Sequence, residues 1–296
     1  ESFRAQLPVY QGELYLEYHR GTYTTQSECK RLYRRAERAL QTHEAVRVAC
    51  KGEPLPESTW QRLLLAHFHD ALPGSSIGQV YDELCPELEA IGDRELSEAV
   101  SEIEGEKASR ERLKNAAFNQ LPYARSAVVD CDGGAVQVHM PALGTAAIDL
   151  QAQVDQPILE ATDTLLRHER LDARFDSLGQ LAELIVDDQP VEFSRSPCFV
   201  LSPDDPAAFD AWDIDHHTAR LGVAVADELQ LEIVENSPAR AVLASAPVPI
   251  GNASQLQVRY VLEAGTPYLK IEPTVDWHES HQLLQYVVPT HYRGLQ

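Results

Sequence analysis

The run TQSECKRLYRRAERALQTHEAVRVAC, residues 25–50, decides how the first part of the chain folds. Cys29, Leu32, Tyr33, Ala36, Leu40, His43, Val46 and Cys50 keep the 3-4 spacing that places side chains on one buried helical stripe. Thr25 with Glu28 reads as a capping box at the start of this helix, and Lys51-Gly52 with Pro54 ends it near Cys50.

Two further Ser-x-x-Gln boxes follow, Ser58 with Gln61 and Ser76 with Gln79. They predict a short second helix over residues 59–72, stopped by Pro73-Gly74, and a third that begins near Ile77. The third carries Ile77, Val80, Tyr81, Leu84, Leu88, Ile91, Leu96, Val100 and Ile103 at helical spacing, and Pro86 and Gly92 inside it predict a kink. The charged run 98–114 reads as its solvated face. Three helices joined by short loops make an antiparallel bundle.

From about Phe118 the period changes to short alternating runs between turn residues. Segments 127–131 and 137–140 flank Asp132-Gly133-Gly134, and 181–186 and 191–193 flank Asp187-Asp188. Later strands are expected at 221–225, 229–234, 241–244, 256–262, 268–271 and 283–288. The chain therefore reads as an α+β multidomain protein: an N-terminal antiparallel three-helix bundle followed by a mostly antiparallel β-sandwich. The expected division is 1–116, a loop plus bundle, and 117–296, a sandwich whose end no signal marks.

A formal net charge of −21 over 296 residues repels phosphate backbones and argues against nucleic acid as a partner. No apolar run is long enough to span a bilayer, so no membrane partner is expected. The five cysteines (Cys29, Cys50, Cys85, Cys131, Cys198) are scattered, odd in number and lack CxxC spacing. Free thiols in a reducing compartment, the cytoplasm, fit better than a disulfide framework. The chain starts at Glu1 without an initiator Met, which reads as a piece of something longer. Self-association is left open.

Three stretches carry residues suited to chemistry. In AHFHDALPGSS, residues 66–76, an apolar helical run ends on His67, His69 and Asp70. On a helix His67 and His69 point to nearly opposite faces, whereas His69 and Asp70 are about 100° apart and can address one site. An imidazole beside a carboxylate can hold zinc or sugar hydroxyls, but pattern alone favours a dipole-stabilised histidine with a solvated Asp70. In GELYLEYHRGTYTTQ, residues 12–26, rings for stacking accompany His19 and Arg20, as in sugar-binding loops, although the tyrosines could simply fill a core. The third stretch, residues 210–217, is acidic and ends in His216-His217; an exposed loop fits it better than a metal site. Phosphate-cradling glycine loops, GxSxG and HExxH are absent from the sequence.

GELYLEYHRGTYTTQ followed by LLLAHFHDALPGSSI (residues 63–77) resembles the α-mannosidases of glycoside hydrolase family thirty-eight. TLLRHERLDARFDSLGQLAELIVDD, DPAAFDAWDID, IVENSPARAVL and VDWHESHQLLQYVVP are similar to successive later segments of that family, so the likeness covers nearly the whole chain. The resemblance implies that His69 is a zinc ligand, that Asp70 binds substrate hydroxyls beside the metal, and that His19, with Arg20 a weaker carry-over, lines the sugar subsite. It also implies that one zinc ion positions the mannose 2- and 3-hydroxyls and helps to distort the ring. The same resemblance implies that the loop within 1–116 belongs to an active site and that the sandwich is of galactose-mutarotase-like type. The family's catalytic α/β domain lies N-terminal to these motifs and supplies a His-x-Asp zinc motif, the nucleophile and the acid/base. No His-x-Asp occurs here, so no catalytic carboxylate is assigned to this chain. The expectation is an α-mannosidase fragment acting on α-mannosides or mannose-containing oligosaccharides, with a zinc site completed upstream and no activity alone. Two other readings are a non-catalytic carbohydrate-binding or assembly module, and an unrelated zinc hydrolase using His67, His69, His216 and His217.

Overall fold

The first helix, α1 (Ser27–Lys51), buries Cys29, Leu32, Tyr33, Ala36, Leu40 and Val46 on the predicted stripe. Its C-cap is Gly52, whose left-handed φ of 73° lets its N–H donate to the carbonyls of Arg47 and Val48. The computed structural model describes residues 19–105, 116–149, 159–215, 218, 221–225 and 229–291. The second helix is α2 (Glu57–Leu65) and the third α3 (Gly78–Gly105).

The three capping boxes do not form. Gln26, with φ of 53°, occupies the N-cap of α1 without a side-chain bond, because the Thr25 hydroxyl is committed to the carbonyls of Gly21 and Ala211. Glu28 pairs with Arg31 instead. Ser58 lies inside the first turn of α2, whose N-cap is Pro56, and Gln61 donates to Glu57 at 3.1 Å. The Ser76 hydroxyl donates to the carbonyl of Asp70 at 2.8 Å.

Side-chain pairs fix the bundle. The Cys29 thiol lies beside that of Cys85, Gly92 lies against Ala36, and His43 meets Glu95, so α1 and α3 run parallel while residues 53–77 carry the chain back between them. A Cβ at Gly92 would lie 3.5 Å from Arg35 Cγ and 3.7 Å from the Ala36 Cα, so this glycine marks the close approach of the two helices. Helix α3 continues through Pro86. Its buried stripe departs from expectation: Leu96 and Val100 are 48% and 49% exposed, and Glu95 and Ala99 are buried in their place. The reason lies on α1, where buried His43 requires a polar neighbour.

The remaining described elements are strands, all paired antiparallel. In chain order they are β1 (Ala116–Asn119), β2 (Arg125–Cys131), β3 (Gly134–Met140), β4 (Gly144–Ala147), β5 (Glu160–Thr162), β6 (Leu165–His168), β7 (Leu171–Phe175), β8 (Leu181–Val186) and β9 (Gln189–Pro190). Then follow β10 (Cys198–Pro203), β11 (Val223–Ala224), β12 (Leu231–Asn236), β13 (Arg240–Ser245), β14 (Val248–Ile250), β15 (Ser254–Glu263), β16 (Lys270–Asp276) and β17 (Gln282–Val287). The β2–β3 hairpin turns at Asp132-Gly133, as its sequence signals. Asp187 and Asp188, both at positive φ, turn β8 into β9, which is Gln189–Pro190 rather than the expected 191–193.

One five-stranded sheet runs β5-β6-β7-β8-β9, and a second runs β12-β13-β15-β14 with β16 also on β15. Leu166, Leu171, Ala173 and Leu181 from the first pack on Leu243, Leu256, Val258 and Leu262 from the second, and Phe175 meets Tyr260 with ring centroids 4.5 Å apart. The sequence builds this core by period 2: in β15 Ser254, Leu256, Val258 and Tyr260 are buried, whereas Gln255 and Arg259 face outward. A three-stranded β11-β10-β17 sheet completes the sandwich. Among the described residues no helix is long and apolar enough to cross a membrane.

Candidate functional site

Helix α2 stops at Leu65, short of the expected residue 72, because the chain tightens there. The N–H groups of Ala66, His67 and Phe68 reach back three residues, to Leu63, Leu64 and Leu65. His69 and Asp70 therefore stand on a folded turn and not on a helix. The Asp70 carbonyl accepts from the Ser76 N–H at 3.0 Å, the Ser76 hydroxyl at 2.8 Å and the Tyr81 hydroxyl at 3.1 Å. Gly74, at φ of 98°, closes the turn after Pro73, where a side chain would be strained.

These bonds hold the backbone and leave the two side chains outside. His69 is 76% exposed and Asp70 42%. Asp70 Oδ1 accepts from the Ser75 hydroxyl at 2.9 Å, and Oδ2 lies 3.4 Å from His69 Nε2. Two donors each about 2.0–2.2 Å from a tetrahedral ion are about 3.3–3.6 Å apart, so this imidazole and carboxylate suit one cation or a pair of vicinal hydroxyls. The Phe68 ring packs beside His69, with centroids 4.3 Å apart. His67 is drawn away: its Nε2 bonds the Tyr33 hydroxyl on α1, which removes it from any set with His69. His216 and His217 lie outside the described residues.

The other two stretches come to the same place. Lys30 Nζ donates to the carbonyls of Thr25, Leu72 (2.7 Å) and Pro73 (3.2 Å), and burial lowers its pKa. A Cβ on Gly74 would sit 2.6 Å from the Thr25 carbonyl oxygen, so only glycine lets the turn seat on the first stretch. His19 meets Trp212 edge to face, with centroids 5.1 Å apart, and the Gly21 N–H donates to the Trp212 carbonyl at 2.8 Å. Arg20, half-buried, precedes the single 3-10 turn Gly21–Tyr23. His19 and Arg20 are thus joined to the His69 turn through Thr25, and Gly12–Tyr18 lie outside the described residues.

Sequence reasoning missed two participants. Trp212 was hidden in a run read as an exposed acidic loop; its signal was an aromatic ring framed by Asp210 and Asp213. Lys30 looked like one more helix-surface lysine, and its signal was its place beside Cys29 in the first turn of the buried stripe. The Trp212 loop also borders a cleft of about 530 Å³ lined by Asp204, Asp205, Phe209, Asp210 and His281. Burial, reinforced by Asp215, pushes the Asp204 carboxyl above the usual carboxylate range.

Comparison with known proteins covers most of this architecture. The family model of the alpha mannosidase middle domain matches residues 17–102, and that of the glycosyl hydrolases family 38 C-terminal domain matches 166–296. Human Alpha-mannosidase 2C1 is 29% identical over 100% of this chain and 31% of its own length. Alpha-mannosidase G of Dictyostelium discoideum is 25% identical over 96% of this chain and 33% of its own length. The chain thus spans about a third of the length of these relatives. In the Saccharomyces cerevisiae Alpha-mannosidase, identity rises to 43% over 86 residues, 25% of this chain and 8% of that one. A crystal structure of an alpha-mannosidase from Enterococcus faecalis V583 shares the fold, with a TM-score of 0.68 and 13% identity over 92% of this chain and 43% of that one.

Proposed function

Because the chain belongs to glycosyl hydrolase family 38, as its α-mannosidase middle and C-terminal parts, we propose that it forms one wall of an α-mannosidase site that hydrolyses terminal α-mannosidic linkages. The observation that carries this reading is the His69–Asp70 pair, held outward by a turn in which the Asp70 carbonyl accepts from Ser76 and Tyr81. His69 supplies an imidazole nitrogen to a zinc ion whose other ligands come from residues outside this chain. Asp70, oriented by Ser75, accepts hydrogen bonds from sugar hydroxyls beside it. Zinc, when bound, supplies the charge that holds vicinal hydroxyls and favours a distorted ring.

His19, steadied by Trp212, and Arg20 line the same subsite. Tyr23, Phe68 and Phe209, one exposed ring from each converging stretch, offer apolar faces to the sugar. A retaining mechanism needs two carboxyls about 5–5.5 Å apart. Asp70 supplies one at most, so the nucleophile and acid/base belong to the rest of the polypeptide and the 296-residue chain is inactive alone. None of the five cysteines is in a disulfide, which supports a reducing compartment such as the cytoplasm.

The test is aryl α-mannoside hydrolysis by the full-length polypeptide with added zinc. Asp70→Asn is expected to raise KM more than it lowers kcat, and His67→Ala to leave both nearly unchanged. Equal hydrolysis by wild type and Asp70→Asn would favour a non-catalytic carbohydrate-binding or assembly module.

A further inference from the structure

Two thiols face each other between the helices. Cys29 on α1 is 1% exposed, and Cys85 on α3 is half-buried against the same core. Their sulfurs lie within hydrogen-bond reach of each other. Neither side chain belongs to the sugar site described above.

The register of the parallel helices brings them together. Ala36 follows Cys29 by seven residues on α1, and Gly92 follows Cys85 by seven on α3, so both pairs lie on one line of contact about two turns apart. A Cβ on Gly92 would stand 3.7 Å from the Ala36 Cα, and the two Cα atoms are at most one carbon–carbon bond farther apart than that. A facing pair on this line suits a disulfide, whose Cα atoms are about 4.4–6.8 Å apart. Pro86, next to Cys85, lacks the N–H that would bond the Asp82 carbonyl, so α3 is one backbone bond short at the turn that must adjust. The pair also stands between two clamps of the His69 turn. Lys30, beside Cys29, donates to the carbonyls of Leu72 and Pro73, and Tyr81, one turn before Cys85, donates to that of Asp70.

We infer that Cys29 and Cys85 form a reversible redox site, which a hydroperoxide converts to a disulfide that staples α1 to α3 between the clamps of the His69 turn. Cys85, the more accessible thiol, attacks the peroxide: an S–O bond forms, the O–O bond breaks, and the departing oxygen takes the thiol's proton and leaves as water. Cys29 then attacks the sulfenic sulfur of Cys85, an S–S bond replaces the S–O bond, and a second water leaves. The two sulfurs are oxidised, the peroxide is reduced, and a dithiol reverses the change by exchange. Burial pushes the Cys29 thiol pKa up to about 11 and raises that of Cys85; Glu28 and Asp82 face Cys85, and Lys30 adjoins Cys29. Both sulfurs are therefore protonated at neutral pH, and the pair closes slowly, under sustained oxidant. A transient bridge of this kind fits a reducing compartment. Its bearing on hydrolysis rests on the sugar-site reading, but the bridge itself does not.

The experiment treats the full-length polypeptide with hydrogen peroxide, maps disulfides by mass spectrometry without reductant, and follows Tm before and after dithiothreitol. The expected product is a pair of peptides linked through Cys29 and Cys85, formed faster as pH rises. Tm should rise by several degrees, because the closed loop, residues 29–85, contains α2 and the whole His69 turn. Dithiothreitol should return Tm to its starting value, and peroxide should not raise Tm in Cys85→Ala or Cys85→Ser. Oxidised wild type should also keep aryl α-mannoside hydrolysis to a higher temperature than the reduced protein. If reduced wild type cleaves no mannoside, the sugar-site reading fails and the linked peptides still decide the bridge. Oxidation of other cysteines with Cys29 and Cys85 left as thiols, Cys85 ending as a sulfinic acid, or a linked pair with unchanged Tm overturns the inference.

Discussion

The helical part and the sandwich are both well-buried structures, but they spend their interiors differently. Between the sheets the core is apolar: Leu166, Leu243, Leu256, Val258 and Leu262 have no exposed surface. Between α1 and α3, Ala36 and Leu40 share the interior with His43 and Glu95. The helical part also folds polar residues outward on a braced turn, and the sandwich sends out the Trp212 loop to meet it. The lesson is a division of labour. The sandwich stabilises by area and shape, and the helical part places chemical groups.

The largest test of that division is Leu256→Ala. It removes a side chain from the centre of the sandwich and should cost about 2–5 kcal/mol in denaturant unfolding, while hydrolysis per folded full-length molecule is unchanged. Gly74→Ala strikes the helical part. It combines a φ of 98° with a Cβ 2.6 Å from the Thr25 oxygen, so a loss of about 1–3 kcal/mol in the same measurement is expected, with weaker activity. Gly92→Ala should act oppositely. Its Cβ meets α1 only at ordinary contact distance, and a mid-helix alanine gains about 0.5–1 kcal/mol over glycine. Destabilisation there would mean that α1 and α3 are packed more tightly than their contacts indicate.

Glu279 gives the smallest effect, confined to the sandwich. Backbone N–H groups of Ala253 and Asn252, with the side chains of Ser254 and Asn252, lower its pKa from the usual 4.5 to about 2. A carboxyl depressed in the folded state stabilises above its unfolded pKa. That contribution fades as pH falls from about 4.5 toward 2. Urea midpoints of wild type and Glu279→Gln should differ at neutral pH and converge near pH 2; a constant gap would contradict the assignment.

Much of the architecture was legible because it rests on periodicity. The stripe from Cys29 to Val46 and the alternation in β15 follow from residue type alone. The helix starts were not, because a capping box records only local preference. Thr25 and Ser76 had stronger tertiary partners in Ala211 and Asp70, 186 and 6 residues away. Leu96 and Val100 matched the helical period but lost the interior to Glu95, a choice made by His43 on another helix. At the candidate site His69 and Asp70 were visible as residue types, and the resemblance gave them roles. Their setting was not visible, since the bracing by Lys30, Gly74 and Trp212 joins positions far apart in sequence.

The central claim is that the exposed turn carries chemistry which the rest of this chain only supports. The most direct measurement is kcat/KM for an aryl α-mannoside with the full-length polypeptide, comparing His69→Ala with wild type at equal folded fraction and with added zinc. The account predicts an unchanged Tm, because His69 is largely exposed, and a loss of at least about a hundredfold in kcat/KM. Equal kcat/KM for the two proteins would contradict it.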